Sequence, residues 1–433
     1  MKRRLIDTSL VFLSMAIASF ASELTLQYSF VGTLSGGLAQ IELDSKSGKI
    51  TGQKILFESK HCRFPKKVRP VKDGRTVLLT NDSKDQPYLF IIDTINTRQS
   101  RIVEMKSQPD EVRISGAQAI VTCGDDWIAT VDINSRTILG SWDSSNLTRI
   151  KWNGPEDIFV TPDNEHAIIS FQKDSKKGKR KGGRLIVFQL PGMRLVSDVA
   201  LARDYEKWVL KNRIRKLGPG PELIFLDQKN DTILSTLDNY GAVVFLKWSE
   251  LKTGKLSEFK YLPTSRDYSW GTSFPDRGSL FQLDGKSTAL IMNAGTEGGA
   301  VLLDVAARNV VHYFEVPSGL EVPHFVPQLN RAFAVCPGKT KERRADTVIK
   351  TYEPKKALFV FELGGKPTVK EIERRRYLFQ LQPVPRVNQL PLMVISAGET
   401  SKRADTLLVF DPQTMKFVDQ KRALGKIGQF AHQ

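Results

Sequence analysis

The chain has 433 residues, with 64 Lys and Arg against 47 Asp and Glu, a net charge of +17. A surface with that excess attracts polyanions. The three cysteines, Cys62, Cys123 and Cys336, are too few and too scattered for a disulfide framework, though one bridge stays open. With no CxxC and no Cys/His cluster at metal-ligand spacing, neither a metal nor a cofactor is expected, and the cysteines read as small apolar residues.

At the N-terminus, Lys2, Arg3 and Arg4 precede an apolar run from Leu10 to Phe20 that ends in Ser19-Phe20-Ala21. A charged start, an apolar stretch of about 11 residues and a small-x-small site are the grammar of a secretory signal peptide. The run falls well short of the roughly 20 residues that span a bilayer. Residues 1–21 are therefore expected to be removed, giving an exported protein, periplasmic or extracellular, whose mature part is one domain over 22–433. The loss of Lys2, Arg3, Arg4 and Asp7 leaves the mature chain at +15.

After the leader the sequence reads as short strands, with one amphipathic helical stretch at 205–214. One unit recurs: an apolar strand often closed by Asp, a polar turn, and a second strand. It occupies 38–54, 88–103, 127–142, 184–198, 242–260, 300–315, 357–370 and 406–420. Most copies follow another strand pair joined by a turn such as Val71-Lys72-Asp73-Gly74, Thr161-Pro162-Asp163-Asn164 or Leu283-Asp284-Gly285. Two hairpins per repeat of 40 to 60 residues make a four-stranded propeller blade. The expected fold is all-β, an eight-bladed β-propeller, or a seven-bladed one if a hairpin within 203–260 is an insertion. The segment 27–33 looks like a second strand without a first, and 425–433 like a first strand without a second. Their sharing of one blade closes the ring and removes both open edges.

Val31-Gly32-Thr33, Gly36-Gly37-Leu38, Leu43-Asp44 and Gly48-Lys49 resemble the opening blade of the lactonase-type and YVTN-type propellers. Pro162-Asp163-Asn164, then Ala167-Ile168-Ile169-Ser170 and Leu185-Ile186-Val187-Phe188, are similar to their repeat consensus, although the YVTN strand itself is not spelled out. The resemblance implies the fold and a range of activities that includes lactone hydrolysis, surface-layer structure and haem binding. No catalytic residue of that superfamily maps onto a matching motif here, and no axial haem ligand stands out.

In a propeller the connection between second and third strands emerges on the face of the between-blade connections. This places Lys173, Lys176, Lys177, Lys179, Arg180, Lys181 and Arg184 on the same face as Lys341, Arg343, Arg344, Lys355 and Lys356, and as Lys402 and Arg403. Between blades the same face receives Arg63, Lys66, Lys67 and Arg69, then Lys207, Lys211, Arg213, Arg215 and Lys216, then Arg374, Arg375 and Arg376. The expected function is non-catalytic binding of an extracytoplasmic protein or an anionic polysaccharide by a monomer, export making nucleic acid an improbable partner. Solvated loops with no ligand are the plain alternative for runs of this kind.

An alternative class is a lactone hydrolase working at the central channel, with His324 as its candidate acid/base, because Glu321-Val322-Pro323-His324 opens a blade there. The remaining histidines, His61, His166, His312 and His432, read as strand or turn residues. Gly124-Asp125-Asp126-Trp127 reads as an Asp-stabilised turn and Tyr268-Ser269-Trp270-Gly271 as an aromatic wedge between blades. G-x-S-x-G, a P-loop and G-x-G-x-x-G are all missing from the sequence, which leaves an elbow serine and nucleotide binding without support.

Overall fold

The computed structural model describes residues 26–33, 37–44, 46–62, 65–81, 83–124, 127–143, 152–174, 183–201, 218–266, 273–344, 347–386, 388–401, 404–424 and 427–432. The leader, the 205–214 stretch, Asp125, Asp126 and Tyr268 to Gly271 lie outside the described residues.

Eight four-stranded antiparallel sheets follow one another along the chain. Blade 1 combines Leu26–Thr33, Gly37–Asp44 and Ile50–Glu58 with the last strand of the chain, Ile427–His432. Blade 2 runs from Pro65–Pro70 to Arg101–Glu104, blade 3 from Pro109–Ser115 to Thr137–Asp143, and blade 4 from Trp152–Val160 to Arg194–Ala200. Blade 5 begins at Pro221–Asp227 and blade 6 at Pro275–Leu283. Blade 7 is His324–Val326, Arg331–Val335, Ala357–Glu362 and Thr368–Glu373, and blade 8 spans Tyr377–Arg386 to Lys416–Arg422. As the sequence anticipates, the terminal strands pair, Val31 opposite Phe430.

The ring's stability lies between its blades. Second and third strands such as Thr232–Leu237 and Ala242–Lys247 are buried nearly throughout, because each sheet is covered on both faces. Eight apolar clusters result, one for every neighbouring pair, including Ile41 and Leu43 of blade 1 against Val394 and Val409 of blade 8. Outermost strands such as Thr137–Asp143 remain largely exposed. Cys62, Cys123 and Cys336 are free thiols in these clusters, so the one bridge left open does not form.

Within the described residues 218–266, blade 5 has four strands and a short helix, Trp248–Thr253, between its third and fourth. Among the described residues, one hairpin stands outside the four-stranded blades. It lies in blade 7, where Lys339–Arg344 and Thr347–Tyr352 form a two-stranded sheet between the second and third strands. Its neck passes Gly338 at φ 70°, where a Cβ would collide with the Glu353 backbone. The Lys341 amide then donates to Ala294 of blade 6 at 2.6 Å, so the hairpin bends inward over the channel.

Candidate functional site at the channel mouth

Five blades start their innermost strand in the same way. Pro65, Pro109, Pro221 and Pro275 each open the strand and Pro155 lies in the first half of Trp152–Val160, and a register shift follows each proline at once. Proline donates nothing to the ladder, and the extra residue of a bulge re-aims side chains. In four of these blades the amide two residues on is taken by a hydroxyl of the second strand. Lys67 donates to Thr80 at 3.0 Å, Glu111 to Thr122 at 3.2 Å, Asp157 to Ser170 at 3.0 Å and Leu223 to Thr236 at 3.0 Å. The residues just after each proline, mostly charged, thereby line the channel near the face of the between-blade connections.

Two chambers result. The outer one, of about 540 Å³, includes Lys66, Asp110, Glu156, Asp238, and Lys339, Lys341 and Lys350 of the hairpin in its lining. The inner one, of about 290 Å³, holds Arg69, Arg113, Glu321, His324, Gln380 and Gln382. Lys67, Glu111, Asp157, Leu223 and Arg277 line both and form the belt where the chambers meet.

Ion pairs dominate this belt. Glu111 accepts from Lys67 at 2.7 Å, Arg69 at 2.9 Å and Arg113 at 3.0 Å, and Arg113 also reaches Asp157 at 3.2 Å. Burial opposes ionisation of Glu111, but Lys67, Arg113 and Arg69 hold its carboxyl well below the usual carboxylate range. For Asp157 burial prevails and pushes the carboxyl up, with the Glu111 charge adding to the shift. Across the channel Arg277 pairs with Asp276 at 3.0 Å and Glu321 at 3.2 Å. Lys341 is enclosed by Asp238 at 3.1 Å, Asp276 at 3.2 Å and Glu222 at 3.4 Å. Despite its burial, the three carboxylates hold the Lys341 ammonium above its ordinary range. Burial and the Asp276 charge push the Glu222 carboxyl up, opposed by Lys341, and Glu222 shares a hydrogen bond with Asp276.

The basic residues singled out in the sequence fare differently. Lys341 is 5% exposed and saturated, so it is a structural cation and not part of a docking surface. Its loop folds over the channel mouth because buried carboxylates of blades 5 and 6 attract it. Lys66, Lys67 and Arg69 lie on the first strand of blade 2 and not in the connection before it. Arg184 is buried against Asp198. Lys173 ends a strand of blade 4, and Arg343 and Arg344 lie in the hairpin, but the side chains of all three are outside the description. Lys176, Lys177, Lys179, Arg180, Lys181, Lys402 and Arg403 are outside the described residues altogether. Arg374, Arg375 and Arg376 occupy the connection from blade 7 to blade 8. Arg374 lies 4.0 Å over the Phe417 ring, Arg375 is exposed, and Arg376 pairs with Glu399 at 3.1 Å. The described members therefore do not meet at one point.

His324 does line the inner chamber, as its place at the start of blade 7 suggests. Burial lowers its pKa to about 4, with the Leu381 carbonyl that accepts from the ring opposing the fall, so the imidazole is neutral at pH 7. Elsewhere among the described residues Asp163, Glu165 and His166 bring donor atoms within 4.8 Å of one another. Asp163 is occupied by the Thr161 hydroxyl at 2.5 Å and the Glu165 amide at 2.9 Å, the pattern of a turn.

No protein-family model matches this sequence, and no curated protein matches it. Solved structures do. The dihydro-haem d1 dehydrogenase NirN, solved in complex with DHE, superposes with a TM-score of 0.65 at 11% identity, covering 94% of this chain and 75% of that one. AztD from Citrobacter koseri gives 0.56 at 12%, over 94% and 97% of the two chains. BamB from Moraxella catarrhalis gives 0.53 at 14%, over 86% and 91%. At such identities the likeness establishes the β-propeller fold and nothing finer. No helix among the described residues is long and apolar enough to cross a membrane.

Proposed function

We propose that this chain is an exported, non-catalytic propeller of YVTN type that docks an anionic polysaccharide, or an extracytoplasmic protein bearing an acidic patch, on its between-blade face. The supporting observation is a set of uncommitted cations on that face of blade 7. Lys350, Lys355 and Arg375 have no ion-pair partner among the described residues, whereas the channel carboxylates Glu111, Asp157, Glu222, Asp238, Asp276 and Glu321 are all bound to cations. Lys176, Lys177, Lys179, Arg180, Lys181, Lys402 and Arg403 are expected from the sequence to join them on that face. The test is retention of residues 22–433 on acidic and neutral glycans at low and high salt. Acidic glycans should be retained, with retention falling steeply as salt rises and lost when Lys176, Lys177, Lys179, Arg180 and Lys181 are replaced by Ser. Salt-independent binding, or none, counts against this reading.

A second reading, a lactone hydrolase, draws on His324. A neutral imidazole that lines the same chamber as Arg69, Arg113 and Arg277 has the parts of a general base with an oxyanion partner. Lactone opening followed by acid release, lost in His324→Ala, supports it; the same rate in the variant as in the parent protein removes it.

A further inference from the structure

Two segments of blade 7 run side by side where it meets blade 8. Residues 353–356 lead into its third strand, Ala357–Glu362, and 374–376 leave its fourth, Thr368–Glu373, so both belong to connections of the between-blade face. Ala357 stands opposite Glu373, and the Arg374 amide continues the ladder by donating to the Lys356 carbonyl at 2.6 Å. Lys356 therefore lies across from Arg374, and one step further on Lys355 lies across from Arg375. Like charges set directly opposite each other are destabilising.

No ion pair relieves this arrangement among the described residues. The Lys356 ammonium sits 4.7 Å from the centre of the Tyr377 ring, and the Arg374 guanidinium 4.0 Å from that of Phe417. Lys355 and Arg375 are exposed, and the exposed Glu353 and Glu373 flank the segments without pairing to any of the four cations. An aromatic face orients a cation without cancelling its charge. Burial alone shifts Arg374, downward, a direction that a close carboxylate would oppose, and a guanidinium stays charged regardless. Four cations are thus held together, two of them seated on rings, with their charge unspent.

We propose that this ridge is the part of the docking face that takes an acidic glycan, whose successive carboxylate or sulfate groups pair with Lys355, Lys356, Arg374 and Arg375. The inference rests on the docking-face reading and narrows it to one junction and one ligand class. Anions relieve the repulsion between the opposed cations, and guanidinium forks match the planar edge of a carboxylate or sulfate. Tyr377 and Phe417 are only partly buried, so rings lie exposed among the charges. A sugar offers those rings its apolar carbon face beside its acid group, which an aspartate or glutamate side chain does not.

Isothermal titration of residues 22–433 at low salt with hexagalacturonate, a sulfated heparin hexasaccharide, maltohexaose and poly-glutamate tests the assignment. At least one of the two acidic sugars should bind, which tells carboxylate from sulfate, and maltohexaose should not. The double variant Lys356→Met with Arg374→Met keeps an apolar stem over each ring and removes the charge. It should weaken the acidic sugar by about 10-fold, as the loss of two charge-assisted contacts at a half-exposed site. Lys356→Arg with Arg374→Lys, which keeps both charges, should stay within about 3-fold of the parent protein. Folding of each variant is checked by circular dichroism, and Lys355→Ser with Arg375→Ser, at exposed positions, decides in the same direction if the methionine variant is unfolded. An acidic sugar that binds the parent and the charge-removed variants equally overturns this proposal and leaves the docking-face reading standing. Failure of both acidic sugars and poly-glutamate to bind the parent overturns that reading and this one together. Poly-glutamate that binds while neither acidic sugar does, or that loses as much affinity as the sugar in the methionine variant, overturns the assignment to a glycan.

Discussion

Glu111 and His324 both line the inner chamber, yet their protonation responds to the fold in different ways. Glu111 is held ionised by three cations from two blades, and truncating it would strand Lys67, Arg69 and Arg113 together. His324 is held neutral by burial, with a folded pKa near 4 against about 6.5 in an unfolded chain. Because its folded value is the lower one, its contribution is complete above about pH 6.5 and is lost as the pH falls toward 4. At pH 4.5 the loss should reach about 2 to 3 kcal/mol, an order-of-magnitude figure from about 1.4 kcal/mol per pKa unit. Urea midpoints at pH 7.5 and 4.5 should converge by that amount in His324→Gln relative to the parent protein. An unchanged pH response in the variant would mean that the imidazole is solvated.

Among the elements, the hairpin Lys339–Arg344/Thr347–Tyr352 is set apart by one side chain that binds it to blades 5 and 6. Removing one partner of a buried charge cluster costs about 3–5 kcal/mol. Lys341→Ala should therefore release the hairpin, seen as faster amide exchange across 339–352 with the exchange of Thr232–Leu237 unchanged; equal protection in the variant would show that backbone contacts suffice. The basic run of this connection was legible in the sequence, and so was its slot in the blade. Its inward course was not, because attraction between Lys341 and Glu222, Asp238 and Asp276 joins residues more than 60 positions apart. The channel belt had a signal that went unread: Pro65-Lys66-Lys67, Pro109-Asp110-Glu111, Pro155-Glu156-Asp157, Pro221-Glu222 and Pro275-Asp276-Arg277 repeat a proline followed by charge. The proline sits at or near the start of the innermost strand, and the bulge that follows it turns the charges inward.

For the whole molecule, ring closure rests on the pairing of Leu26–Thr33 with Ile427–His432. Deleting residues 427–433 would bare the edge of Leu26–Thr33 and loosen the Ile41, Val394 and Ile427 cluster. The truncated protein should unfold at lower urea and self-associate, measurable by sedimentation; a monomer of parent stability would show that the other interfaces hold the ring alone. Composition and period by themselves determined the all-β class, the repeat of two hairpins, the shared blade and the excess of positive charge, because these follow from local alternation, turn residues and counting. Only the tertiary structure decided which charges face solvent and which face each other. Whether a lysine is a docking cation or a buried counter-ion depends on carboxylates brought to it by other blades, and no local pattern encodes that distance.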